Sequence, residues 1–142
     1  MSVKVSINKS QVAMKIRDAG EEAIGIVSQT VLDDCNEYAP DDQDGLVDSS
    51  AIHSDLLNGK LVWKTPFARY LYHGVLMVDE KTGSAWAREG QTKVKASPEV
   101  KLKFDKLKHP KAGSHWCERA KADHGKEWRE IYEKVLRQGL NK

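Results

Sequence analysis

The stretch SQVAMKIRDAGEEAIGIVSQTVLDDCNEY, residues 10–38, decides the fold expected for this chain. It contains no proline, and its apolar residues recur at steps of three, four and seven, so they form one stripe on a helical surface. The stripe comprises Val12, Ile16, Ala19, Ala23, Ile26, Val27, Val31, Cys35 and Tyr38. The sequence therefore predicts a long amphipathic helix that makes up most of an N-terminal part, residues 1–39.

The length of this helix bears on its role. Asn8 or Ser10 is a suitable N-cap, and Pro40 ends the helix because proline disfavours helical geometry at the residue before it. About 28 residues at roughly 1.5 Å each reach roughly 40 Å, which is longer than a compact domain of this size needs. Gly20 and Gly25 weaken the middle of the helix and allow a bend there. Two interpretations stay open: a helix of the domain's own core, or one that also packs against a partner.

The composition is that of a soluble globular protein with a single domain over residues 1–142. The chain is 39% hydrophobic and 31% charged, and its formal net charge of +2 predicts no strong electrostatic grip on nucleic acid. It shows neither a signal peptide nor an apolar run that could span a membrane, so we expect it to fold or be assembled in a cytoplasm. Cys35 and Cys117 belong to no CxxC pair and are expected to be reduced, although a single disulfide between them stays open.

The middle part, residues 40–112, alternates short apolar segments with polar turns, which indicates a small antiparallel sheet. Strands are predicted at 46–52, 59–66, 75–80 and 99–107, with a short helix from Pro66 to a terminating Gly74 and a long loop or hairpin extension at 78–98. The acidic turn at Asp41, Asp42 and Asp44 lacks the alternating ligands and closing Glu of an EF-hand loop. We therefore expect a solvated turn there and not a calcium site.

The C-terminal part, residues 113–142, begins within HPKAGSHWCERAKADHGKEW, residues 109–128, which contains three histidines and a cysteine. Gly113 and Ser114 supply a helix cap, and the helix is predicted to run to Gln138 and end at Gly139. Cys117 and His124 share one face with the apolar residues but lie two turns apart, about 10 Å, too far to act as nucleophile and base.

His115 projects roughly 200° round the helix from Cys117, which is too divergent for both to bind one metal. The stretch is therefore interpreted as a helix start. We assign no catalytic residue, metal ligand or cofactor, and expect a protein that is not an enzyme.

Most aromatic residues fall on apolar faces at helical or strand spacing and are expected to pack in the core. Trp86 is the exception, because it lies in the polar loop without periodic apolar neighbours. It is a candidate anchor for a partner surface.

Four segments carry a resemblance to a known family: YAPDDQDGLVDS from Tyr38, WKTPFARYLYHG from Trp63, TGSAWA from Thr82 and HPKAGSHWCERAKAD from His109. In this order they resemble the minor capsid protein family of phages and prophages of Gram-positive bacteria. That family is similar in turn to tail-completion, or tail-to-head joining, proteins of long-tailed phages. The resemblance covers about residues 38–128.

The resemblance implies an α+β fold in which a long N-terminal helix and a C-terminal helix pack on a small antiparallel sheet. It implies a homo-oligomeric ring, often of six subunits, in the neck of the virion, with host cytoplasm as the location before assembly. The expected partners are the head-closure or connector protein and the tail tube or tail terminator protein, with DNA passing through the lumen without sequence-specific binding. No membrane partner is expected.

On this interpretation the loop at 78–98 is the candidate docking element. Its candidate interface residues, together with Arg69 of the short helix, are Trp86, Arg88, Lys81 and Glu89. Arg69 is expected to pair with an acidic residue of its own subunit or of the neighbour, and deletion of residues 84–91 is expected to spare folding but block head–tail joining.

Three other functions stay open. A minor capsid component located in the head differs from a neck protein in its position in the virion. A small metal-dependent nuclease using His109, His115 and His124 would hold metal tightly. A prophage regulator would bind DNA with strong salt dependence, which the balanced charge disfavours.

Overall fold

A computed structural model describes residues 6, 8–40, 45–84, 89–97, 99–104, 106 and 109–141. The predicted calcium-free acidic turn at 41–44 lies outside these residues. Within them the order of elements is α1 (Lys9–Tyr38), α2 (Leu46–His53), a 3-10 helix (Leu56–Asn58), α3 (Ala68–His73), β1 (Met77–Asp79), β2 (Lys93–Lys95) and α4 (Trp116–Leu140). The α+β class, with two long helices and a small antiparallel sheet, is confirmed.

Helix α1 begins and ends at the predicted signals. The side chain of Asn8 accepts a hydrogen bond from the Gln11 backbone N–H at 3.1 Å, which caps the first turn. Ala39, the residue before Pro40, leaves helical geometry with ψ 143°. The helix is continuous through both internal glycines.

Helices α1 and α4 are the main packing pair, and they run antiparallel. Three contacts fix the register along their length: Tyr38 with Asp123, Asp34 with Trp128, and Ala19 with Gly139. Because α4 ends at Leu140, the first turns of α1 extend past it. We call residues 9–17 of α1 the overhang.

The predicted apolar stripe of α1 is buried only where α4 covers the helix. Ala19, Ala23, Cys35 and Tyr38 are buried, whereas Val12, Ile16 and Ile26 are 46%, 54% and 43% exposed. Val12 and Ile16 lie on the overhang, which α4 does not reach, so this part of the stripe is not buried in the core.

Residues 46–52, predicted as a strand, form helix α2. Leu46, Ser49 and Ser50 lie three and four positions apart and are all buried, while Ile52 is 75% exposed, so the segment has the helical period. The Ser49 hydroxyl donates to the Leu46 carbonyl at 2.6 Å, and the Ser50 hydroxyl to the Val47 carbonyl at 2.6 Å. The pattern of a short apolar run does not by itself distinguish a strand from a helix.

The strand predicted at 59–66 is also absent from the described residues, apart from a bridge between Lys60 and Asp55. Its backbone is satisfied by side chains instead of a neighbouring strand. The Val62 N–H donates to the Ser54 hydroxyl oxygen at 2.9 Å, and the Lys64 N–H donates to the Ser49 hydroxyl oxygen at 3.0 Å. Residues 59–66 are therefore hydrogen-bonded to α2 and to the residue that follows it, and not to the sheet.

The sheet has two strands in the described residues. β1 pairs antiparallel with β2, with Val78 opposite Val94, and this confirms the hairpin extension. Of the predicted strand at 99–107, the described residues 99–104 and 106 show a bridge between Lys101 and Val75, and the Leu102 N–H donates to the Gly74 carbonyl at 2.8 Å.

Helix α3 forms as predicted and ends at Gly74, whose φ of 70° suits glycine. A Cβ at this position would also lie 2.8 Å from the Ser114 Cβ, so the close approach of the loop before α4 requires glycine. This contact brings the end of α3 against the start of α4.

Helix α4 differs from its prediction at both ends. It starts at Trp116 with His115 as N-cap, and it continues through the predicted terminator Gly139 to Leu140. Gly139 is buried against α1, where a Cβ would lie 2.8 Å from the Ala19 Cβ. The glycine thus permits close helix packing and does not end the helix.

The core lies where α1, α2, α3 and α4 meet. Its largest buried side chains are Trp116, Tyr38 and Leu46. Tyr72 and Trp63 contact the Trp116 ring edge to face, with centroids 4.7 Å and 5.9 Å away. Trp63, Trp116 and Trp128 all belong to this packing, as expected for the aromatic residues.

No helix in the described part of the chain is long and apolar enough to cross a membrane.

Candidate interaction surfaces

The joint between α1 and α4 is held by the guanidinium of Arg119. Its Nε donates to the Ser114 carbonyl at 2.7 Å, and its two terminal nitrogens donate to the Lys111 and Tyr38 carbonyls at 2.9 and 3.1 Å. These carbonyls belong to the end of α1 and to the loop that leads into α4. One side chain therefore connects the end of α1 to this loop, which is a structural role.

Tyr38, the last residue of α1, meets α4 through its hydroxyl. The hydroxyl donates to the Asp123 carboxylate at 2.5 Å and lies 3.3 Å from Nε2 of His124. The hydrogen bond to Asp123, together with burial of the ring, raises the pKa of Tyr38. The phenol therefore keeps its proton to a higher pH than a free tyrosine would, and its hydrogen bond joins the two helices.

The three histidines of the 109–128 stretch lie in different environments. His109 Nδ1 lies 2.8 Å from the Ala39 carbonyl, His124 contacts Tyr38 and Glu127, and His115 packs against Tyr72 with ring centroids 5.3 Å apart. His115 also has φ 52°, stabilised by its N–H bonded to the Tyr72 carbonyl at 2.8 Å. Among the described residues no group of three or more His, Cys, Asp or Glu side chains is placed to hold a metal.

The two cysteines meet although 82 positions separate them in the sequence. Cys35 is buried in the core and Cys117 packs against the same cluster, and both are free thiols. A hydrogen bond shared between the thiols, together with burial, raises the pKa of Cys35, and the same hydrogen bond lowers the pKa of Cys117. The sequence spacing carried no signal for this proximity.

The base of the candidate docking loop is an ordered turn built on Asp79. The buried Asp79 side chain accepts hydrogen bonds from the backbone N–H groups of Lys81 and Thr82 at 2.9 and 3.1 Å. Its own N–H donates to the Ser84 carbonyl at 2.8 Å. Ser84 is thus part of the turn, so a deletion that begins there would also disturb β1.

The predicted interface residues occupy different positions. Lys81 and Glu89 are exposed at the two sides of the hairpin extension. Arg69 is exposed on α3 and forms no ion pair with an acidic residue in the described ranges. Trp86 and Arg88 lie outside the described residues, so their role stays a prediction.

The overhang is a second exposed surface. Beside it a groove of about 410 Å³ is lined by Gln11, Met14, Lys15, Asp18, Ala19, Glu22 and Gly139. Met14 is 53% exposed there, in addition to Val12 and Ile16 on the overhang. Met14 lies across α1 from Val12 and Ile16, which are four positions apart and share one side of the helix. Neighbouring exposed apolar groups such as Val12 and Ile16 mark a contact surface in many proteins.

A model of the minor capsid protein family matches residues 3–136. The chain belongs to the minor capsid protein family. No curated protein and no solved structure compared with the chain gives a match.

Membership of the minor capsid family identifies the chain as a structural protein of a virion. It also fits the geometry around α4, where the histidines, the cysteines and Arg119 serve packing. In the described part of the chain, three exposed surfaces have no such packing role: the hairpin extension, the overhang and a further patch.

That further patch was missed by reasoning from the sequence. Leu57 of the 3-10 helix is 74% exposed, beside a groove of about 450 Å³ lined by Asp18, Glu21, Glu22, Leu57 and Asn58. We call it the acidic groove. The sequence feature that indicates this groove is the uneven distribution of charged residues along the chain, which the net charge does not show.

Proposed function

We propose that this minor capsid family protein acts in the neck of a phage or prophage of Gram-positive bacteria, where it forms a ring that joins the head connector to the tail tube. The observation that carries the proposal is the overhang of α1. It continues the stripe that α4 buries, yet its apolar residues are exposed in the single subunit. A ring supplies neighbours that cover such a surface, as a free monomer does not.

The hairpin extension supports the same proposal. Its base is fixed by the Asp79 turn, and it presents Lys81 and Glu89 on the outside. An element with an ordered base and exposed charged side chains is suited to contact with the connector on one side of the ring or with the tail on the other. The near-neutral net charge of +2 suits a conduit through which DNA slides without being held.

The test is complementation of a phage in which this gene is inactivated. We expect the mutant lysate to contain DNA-filled heads and complete tails that remain unjoined. Addition of the purified protein to the lysate should restore joined, infectious particles. Mutant particles that are already joined, or lysates that lack complete heads, would contradict the neck proposal.

The second candidate is a component of the head, which the family description favours by its wording. Fractionation of wild-type virions separates the two. A neck protein remains with the isolated connector and tail when the capsid shell is dissociated, whereas a head component remains with the shell.

A further inference from the structure

The charges of this chain are segregated along the sequence although they nearly cancel. Residues 1–17 contain the basic residues Lys4, Lys9, Lys15 and Arg17 and no acidic residue. Residues 18–59 contain no lysine or arginine. Their acidic residues are Asp18, Glu21, Glu22, Asp33, Asp34, Glu37, Asp41, Asp42, Asp44, Asp48 and Asp55. The border between the two segments falls on α1, at the end of the overhang.

The overhang combines positive charge with an apolar stripe. Lys9, Val12 and Ile16 lie at steps of three and four and therefore share one side of α1. All three are exposed, as is Arg17, which follows on the adjoining side. This side continues the face that α4 covers further along, where Ala19 and Ala23 are buried.

The acidic groove has the opposite charge and a matching apolar element. Asp18 and Glu21 are exposed at its edge, and Leu57 supplies a side chain that is 74% exposed. On the helical wheel, Val12 and Ile16 lie roughly 120° to 160° from Asp18, so the two surfaces face different sides of α1. A straight helix cannot place its own overhang in its own groove.

We infer that the overhang of one subunit binds in the acidic groove of a second copy of this chain, with Lys9 and Arg17 facing Asp18 and Glu21. Two different surfaces meet in such a contact, so it is heterologous and repeats from copy to copy, closing a ring when the rotation between subunits permits. The inference rests on the proposed function in that it assigns the surfaces by which the ring subunits meet.

The occupant is a second copy because each surface offers what the other lacks. The overhang needs an apolar cover and negative charge, and the groove needs an apolar side chain and positive charge. Complementary charge also sets the direction of the contact, because overhang against overhang and groove against groove both repel.

The experiment uses two charge-reversed variants of the full chain, studied by sedimentation velocity and native mass spectrometry. Lys9→Glu with Arg17→Glu makes the overhang acidic, and Asp18→Lys with Glu21→Lys makes the groove basic. We expect the wild-type protein to self-associate at low salt, and each variant alone to dissociate with a dissociation constant raised by at least about tenfold.

Mixing the two variants is the decisive step. The acidic overhang then meets a basic groove, and the unaltered overhang meets the unaltered groove, so association should return with the two variants alternating and only even numbers of subunits. Lys121→Glu with Lys126→Glu, an equal reversal on the exposed side of α4, should associate as the wild type does. Circular dichroism melts check that all variants fold.

Val12→Ser with Ile16→Ser tests the apolar part and should weaken association without changing the charge. A wild-type protein that stays monomeric at low salt, single variants that associate as the wild type does, or folded variants that fail to associate when mixed would each overturn the inference. None of these results bears on the location of the protein in the virion, which complementation and fractionation test separately.

Discussion

At the scale of single residues, Arg119 has the most consequential position, because its guanidinium donates to one carbonyl at the end of α1 and to two carbonyls in the loop before α4. The sequence marks it only as one more charged residue of a helix. A lysine would keep the positive charge, but its single ammonium nitrogen could not donate to the three carbonyls in the directions that the planar guanidinium does.

We predict that Arg119→Ala lowers the free energy of unfolding by about 2 to 3 kcal/mol, because the carbonyls lose a charged donor. Arg119→Lys should recover less than half of the loss. Urea unfolding followed by tryptophan fluorescence measures both. Arg129→Ala, an exposed arginine of the same helix, is the matched control and should stay within about 0.5 kcal/mol of the wild type. Equal stability of the two alanine variants would contradict the role given to Arg119.

Tyr38 leads to a prediction about pH. Its pKa is raised in the folded protein by the hydrogen bond to Asp123 and by burial, so the folded state holds the phenolic proton more tightly than the unfolded state. Its contribution to stability is therefore complete below the unfolded value of about 10 and is lost as the pH rises through the folded pKa.

The measurement is the free energy of unfolding from about pH 8 to about pH 11 for the wild type and for Tyr38→Phe. The wild type should lose stability more steeply above about pH 10 than the variant. Tyr72, whose pKa is also raised by burial, leaves a residual slope in both proteins. Parallel curves of unfolding free energy against pH for the two proteins would contradict a raised pKa of Tyr38 in the folded state.

At the scale of the elements, the packing of α1 against α4 depends on a small residue at the crossing point. Gly139 lies so close to Ala19 that a Cβ would stand 2.8 Å from the Ala19 Cβ and 3.1 Å from its Cα. The Ala19 backbone and methyl group cannot move aside, whereas the end of a long, flexible side chain could.

We predict opposite effects for two glycine substitutions in α4. Gly139→Ala should destabilise the protein by about 1 to 3 kcal/mol through overpacking, although alanine favours the helix. Gly125→Ala should stabilise it by about 0.5 to 1 kcal/mol, because its Cβ would meet only the flexible Lys121 side chain at 3.5 Å. Thermal melts of both variants decide the matter, and a stabilising Gly139→Ala would mean that the helices are further apart than described.

At the scale of the whole molecule, the arrangement separates a packed centre from surfaces that the described residues leave uncovered. The hairpin extension and the overhang belong to different elements, so variants in one should not affect the function of the other. This independence is what allows contacts between copies and contacts with other virion proteins to be tested one at a time.

For the hairpin extension we predict that Trp86→Ala with Arg88→Ala leaves folding and self-association unchanged but abolishes complementation of the mutant lysate. The reason is that Trp86 supplies the only large apolar side chain in residues 81–92 for a docking contact. Lys126→Ala on α4 is the control and should complement fully. Full complementation by the double variant would remove the loop from the joining contact.

Several features could be predicted from the sequence because their causes are local. Asn8 and Pro40 set the ends of α1, and Gly74 ends α3, since caps and backbone restrictions act over a few residues. The spacing in residues 109–128 likewise excluded a nucleophile–base pair of Cys117 and His124 by helix geometry alone. The family resemblance added the class of protein, which these local rules do not contain.

Only the tertiary structure decided the features whose partners are distant in the sequence. Residues 46–52 form a helix whose Ser49 hydroxyl accepts a hydrogen bond from the distant Lys64 N–H, and α4 continues through Gly139, which packs against Ala19 of α1. Val12 and Ile16 have the same periodicity as the buried residues of α1, and whether α4 reaches them depends on where that helix ends. A pattern along the chain shows which face can be buried, and the packed molecule determines how much of that face is covered.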